Sequence, residues 1–164
     1  MLSVTLTGQD RLDARLDALP ATVTAAVAAK SAALADRLLE RIRTKLGGAV
    51  LKPRTGALAA SIGVAGPTID GDHVVTTVFS GGDLKYAAIQ EYGGVTAPHE
   101  ILPERAKALA FLAGGEQVFA RVVRHPGSHI PARSYLRSSL AEMAGRIESE
   151  MKAAVVAALQ GARP

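Results

Sequence analysis

The chain has 164 residues, 48% of them hydrophobic and 21% charged, with no cysteine. That length suits one domain with a real core, and the missing cysteines exclude disulfides and every cysteine-based metal or nucleophile chemistry. The net charge of +4 is spread along the whole chain without interleaved aromatic residues, which argues against a platform for single-stranded nucleic acid.

Aromatic residues make up only 4% and tryptophan is absent, so the core must come from Ala, Val, Leu and Ile. Such a core gains less per residue than an aromatic one, and copies of the same chain are natural partners for the remaining apolar surface. The first residues carry no basic region followed by an apolar run, so no signal peptide is expected. The apolar stretches look short and interrupted, below the ~18 residues of a membrane span. A soluble, unexported protein with no membrane contact is the expectation.

In chain order, residues 2–7 alternate Leu2, Val4 and Leu6 with polar residues, the period of a half-buried strand, and Gly8 ends it. Asp10 is placed to cap a short helix carrying Leu12, Leu16 and Leu19, and Pro20 then restarts the chain. Val23, Val27, Leu34, Leu38, Ile42 and Leu46 predict one face of a long helix that Gly47-Gly48 terminates. Residues 49–55 read as a loop, and Thr55 as the cap of a single helical turn through Ser61.

A β-rich stretch follows, with Ile62–Ala65, a turn holding Gly66-Pro67 and Asp70-Gly71, and then Val74–Phe79. Asp83 is a candidate cap for a short helix ending at Tyr92 before Gly93-Gly94. The segment 105–124 is locally ambiguous but reads as a hairpin around Gly114-Gly115. His125-Pro126-Gly127 reads as a loop, and Pro131 as the start of a final helix. That helix has an apolar stripe from Leu136 through Leu140, Met143, Ile147, Met151 and Val155 to Leu159, with Glu142/Arg146 and Glu148/Lys152 as i,i+4 pairs. The whole reads as one α+β domain, an antiparallel sheet packed by a long N-terminal and a long C-terminal helix.

No catalytic constellation emerges. His125 and His129 are four apart, but in a Pro-Gly loop and without the His-Glu-x-x-His pattern of a helical zinc site. They read as solvated histidines. Asp70 and Asp72 flank a glycine, as in a turn. The glycine doublets match neither phosphate-cradling motif, and no Gly-x-Ser-x-Gly elbow is present. Neither catalytic residues nor a metal or cofactor is expected.

Three segments carry a resemblance. Thr55-Gly56-Ala57-Leu58-Ala59-Ala60-Ser61-Ile62 has the pattern Thr-Gly-x-Leu-x-x-Ser-Ile, and Tyr86-Ala87-Ala88-Ile89-Gln90-Glu91-Tyr92-Gly93 the pattern Tyr-Ala-x-x-x-Glu-aromatic-Gly. Ile130-Pro131-Ala132-Arg133-Ser134-Tyr135-Leu136 resembles a Pro-Ala-Arg-Pro-Phe-Leu lead-in to a last helix, with Ser134-Tyr135 where Pro-Phe is usual. In order and spacing, over roughly residues 20–160, these resemble the neck and tail-completion proteins of lambda-like siphophages, also found in prophages and gene transfer agents.

The resemblance implies a structural virion protein of the head–tail junction, assembled in the bacterial cytoplasm. It would form a sixfold or twelvefold homo-oligomeric ring between head-closure and tail-tube proteins, with DNA passing through the lumen. A tail terminator capping the tube and a basic DNA-binding protein are the alternatives. The expected subunit interface lies on 74–79, 108–123 and one side of the long helices, and loops 93–100 and 124–131 would meet the layers above and below. Glu91 is expected either to pair with an arginine such as Arg133 or to stand as a solvated or capping carboxylate.

Overall fold

Leucine and isoleucine at helical spacing build the longest element. In the computed structural model, which describes residues 9–71, 73–82 and 84–161, α1 runs from Gln9 to Thr44. The expected strand at 2–7 and the Asp83 cap lie outside the described residues. Two compact units are present: residues 1–84 with 135–164, and residues 85–134. The fold is α+β, with antiparallel strand pairs, a long N-terminal helix and a long C-terminal helix.

Pro20 lies inside α1 instead of starting a second helix. A proline removes one main-chain hydrogen bond, and the Ala- and Leu-rich flanks supply enough propensity to carry the helix through it. The span Asp10–Ala49 also contains an 18-residue window of mean hydropathy 1.4, long and apolar enough to cross a membrane by length and composition. This window corrects the expectation of only short, interrupted apolar stretches. After Thr44 the helix closes in a π turn, Lys45–Ala49, where Gly48 takes a φ of 136° and Lys45 O accepts from both Val50 N and Leu51 N.

The first unit is organised around α1. A four-residue helix α2 (Ala57–Ala60) leads into the hairpin of β1 (Ile62–Asp70) and β2 (His73–Ser80). Both strands lie against α1, and α4 (Leu136–Gly161) packs along it. Leu38, Ile42, Leu46, Leu51, Ile62, Tyr135 and Met143 form the core. Burying each such side chain stabilises the fold by about 1.5–3 kcal/mol.

Two local expectations are corrected here. Gly66-Pro67 is not in the turn. It sits within β1, where the register shifts between Ala65 and Thr68, because a residue without an N–H is tolerated at such an irregularity. The chain reverses only between Asp70 and His73. On α4 the buried residues are Ser139 and Met143, continuing the line of Tyr135 just before the helix, while Leu140 is 51% exposed. Ser139 takes the core position because its hydroxyl donates to Tyr135 O at 2.6 Å and so buries no unpaired polar group.

Ion pairs join the helices. Glu142 accepts from Arg41 and, at 2.8 Å, from Lys45, so it does not pair with Arg146 as expected. Arg146 instead meets Glu150 at 2.8 Å, and Glu150 also takes Arg37 at 2.7 Å and Lys30 at 3.4 Å. Glu148 and Lys152 pair at 2.5 Å as expected.

The second unit begins with α3 (Lys85–Tyr92) and continues as short antiparallel ladders. β3 (Gly94–Val95) pairs with β8 (His129–Ile130), and β4 (His99–Ile101) with β7 (Val123–His125). Between them rises the hairpin of β5 (Leu109–Ala113) and β6 (Glu116–Ala120). The positive φ of Gly114 and Gly115, 63° and 91°, fits the turn type that matches strand twist. The ambiguous segment is therefore a hairpin.

Candidate assembly surface

Two of the three motif segments meet. The Tyr86–Gly93 segment forms α3, and the segment beginning at Ile130 crosses its C-terminal end. Arg133 N donates to Gln90 O at 2.8 Å, and Ser134 Oγ donates to Glu91 Oε1 at 2.8 Å. Glu91 is only 3% exposed. The solvated-carboxylate reading is therefore corrected, since a buried carboxylate persists only where donors face it. Arg133 itself is an exposed side chain.

Gly93 explains why the motif ends in glycine. Its φ is 73°, and a Cβ there would stand 2.7 Å from Ala132 N and 2.9 Å from Ile130 O. Pro131 lies on that same crossing segment, just after β8, and is exposed. Tyr86 and Tyr92 point outward from α3, while Ile89 is half-buried against Gly94. Tyr86, Ile89 and Tyr92, which recur every three residues, are thus split between solvent and interior.

The first motif segment lies in the other unit. Gly56, in a left-handed conformation, is the N-cap of α2. Thr55 does not cap through its side chain as expected, since Ala57 N reaches its hydroxyl only at a long 3.4 Å. Ser61 Oγ donates to Leu58 O at 2.8 Å and lies 3.1 Å from Ser80 Oγ, tying α2 to the hairpin. Ile62 and Tyr135 are in the core, and Leu58 and Leu136 pack against it.

The histidines are placed differently from the sequence reading. His125 and His129 belong to β7 and β8, not to a loop. His125 stands opposite His99 across the β4–β7 ladder, and their rings stack with centroids 5.0 Å apart. His125 Nδ1 accepts from Gly127 N at 3.0 Å, which puts the proton of the neutral ring on Nε2. No group of three or more metal-binding side chains occurs among the described residues.

The β5–β6 hairpin exposes apolar side chains on both of its faces. Leu112 is 76% and Phe119 67% exposed, and the register puts both on one face. On the other face Phe111 stands directly opposite Val118, and both are exposed. A two-stranded hairpin apolar on both faces is marginal in water and is stabilised by being covered. The sequence signalled this by consecutive apolar pairs, Phe111-Leu112 and Val118-Phe119, in place of alternation. Half of each expected loop, 93–100 and 124–131, is paired, as β3–β8 and β4–β7.

The cation-rich groove of the first unit does not favour an anion. Arg37, Arg41, Lys45 and Arg146 line it, but their charges already meet Glu142 and Glu150. No family model, curated protein or solved structure matches the chain.

Proposed function

We propose that the chain is a structural subunit of a tailed-phage or phage-like particle, part of the ring that joins head to tail, and that it works by assembly and not by catalysis. One observation carries the reading: the β5–β6 hairpin exposes Phe111 and Val118 on one face and Leu112 and Phe119 on the other. A cyclic ring needs two different patches on each subunit, one meeting the neighbour on either side. A two-faced apolar hairpin supplies an element that a neighbouring subunit covers.

The resemblance of Thr55–Ile62, Tyr86–Gly93 and Ile130–Leu136 to neck and tail-completion proteins supports the same reading, and so does the direct contact of Gln90 and Glu91 with Arg133 and Ser134. Head-closure and tail-tube proteins are the proposed neighbours, with DNA threading the lumen without sequence-specific contacts.

The test is complementation of a particle-producing strain lacking the gene with a Leu112→Asp, Phe119→Asp double variant. Both side chains are exposed, so the purified variant should keep the wild-type circular dichroism and melting temperature. Electron microscopy should then show separate heads and tails. Complete, infectious particles made without the chain would contradict the proposal.

A further inference from the structure

The first turns of α1 expose Leu12 and Leu16, at 57% and 53% of their surface. Leu19 and Val23 continue the line at spacings of three and four residues, which is the seam of a two-stranded coiled coil. The charges beside that seam are sorted. At about 100° per residue, Asp13 lies about 80° to one side of the Leu12–Leu16 line and Arg15 about 80° to the other. Asp17 falls further round on the acidic side, and Arg11 further round on the basic side. None of these four side chains is in an ion pair among the described residues.

Sorted flanks choose the orientation of a partner. When two identical helices face each other antiparallel about a twofold axis, each flank meets its own copy, and Asp13 would approach Asp13. When they run parallel, each flank meets the opposite one, and the acidic side of one helix lies along the basic side of the other. Like charges set against each other cost stability, while opposite charges fix orientation and register.

We infer that residues 11–19 of α1 are a self-association surface that pairs in parallel with the same segment of a second copy of this chain, Leu12 and Leu16 forming the seam and Asp13/Asp17 meeting Arg11/Arg15. This surface is distinct from the β5–β6 hairpin and does not depend on the head–tail reading. Because the same patch serves on both copies, the pairing closes at two chains and gives a twofold dimer.

The natural chain has no cysteine, so a single introduced thiol reports one contact. Leu12→Cys should form a disulfide-linked dimer under mild oxidation at least about tenfold faster than Ala14→Cys, whose side chain projects from the opposite side of the same turn. Equal rates would overturn the inference. So would a mixture of Leu12→Cys and Leu16→Cys chains that cross-links preferentially between the two kinds, the signature of antiparallel pairing.

A second arm reads the charges in the Leu12→Cys background. Arg11→Asp with Arg15→Asp gives one chain, and Asp13→Arg with Asp17→Arg gives another. Each alone should cross-link about tenfold more slowly than the parent, a loss of about 1.4 kcal/mol, and an equimolar mixture should recover the rate as mixed dimers. No recovery on mixing, with each variant's circular dichroism unchanged, would overturn the inference. That result would leave incorporation into particles untouched, so the two readings fail separately.

Discussion

Ser134 and Glu91 stand 43 residues apart in sequence, yet the serine hydroxyl donates to the glutamate carboxylate at 2.8 Å. The acceptor is almost wholly buried, so the bond helps to satisfy a polar group that little water reaches. Losing one donor to such a group costs about 1–3 kcal/mol. Ser134→Ala should lower the unfolding free energy by that amount in urea titration, and Ser134→Thr, which keeps a hydroxyl, should lower it less. Equal losses would show that the hydroxyl is not what matters.

The crossing at Gly93 leaves no room for a side chain. With a φ of 73° and main-chain atoms of Ala132 and Ile130 inside 3.0 Å of a modest Cβ, Gly93→Ala should destabilise by about 1–3 kcal/mol through backbone strain alone. Gly56 has a similar φ of 74° but nothing within 4 Å, so Gly56→Ala should cost less. Thermal melts of the two variants side by side test the ordering.

The corrected face of α4 makes opposite demands on two neighbouring apolar residues. Met143 is in the core and Leu140 is exposed. Met143→Ala should cost about 2–5 kcal/mol, whereas Leu140→Ala should stay within about 0.5 kcal/mol. Comparable losses from both would restore the stripe read from spacing.

Acid should loosen the joint between α1 and α4. Arg146, Lys30 and Arg37 around Glu150 hold its carboxyl down from 4.5 to about 2, and Lys45 and Arg41 lower that of Glu142. A carboxylate with a depressed folded-state pKa adds stability above its ordinary pKa and loses it as the pH falls through the folded value. The melting temperature should therefore fall between about pH 4.5 and pH 2. Glu150→Gln should flatten that slope, and high salt should weaken it because the pairs are accessible to ions. An unchanged slope in Glu150→Gln would place the acid sensitivity elsewhere.

The long helices and the hairpin at Gly114-Gly115 were legible because apolar period and glycine placement are local signals. Where tertiary structure decides, local signals mislead. Pro20 breaks one hydrogen bond, and the propensity of its neighbours outweighs it. Glu142 reaches Arg41 and Lys45 on another helix, a choice that no i,i+4 rule contains. Ser139 enters the core by bonding its own helix, so counting apolar residues points to Leu140. Of the motif residues, the sequence marked Glu91 and Gly93 but not their partners, because the Glu91–Ser134 contact spans the whole second unit. The stacking of His99 on His125 likewise follows from a ladder register and not from their positions in the chain.

The central claim is that this chain is a ring subunit at a head–tail joint, and the direct measurement is its copy number in purified particles. Quantitative mass spectrometry against isotope-labelled peptides, scaled to a tail-tube subunit, should give a fixed multiple of six per particle. Electron microscopy with a label on the chain should place that ring at the head–tail junction. A single copy per particle, or a chain absent from particles altogether, would contradict the account.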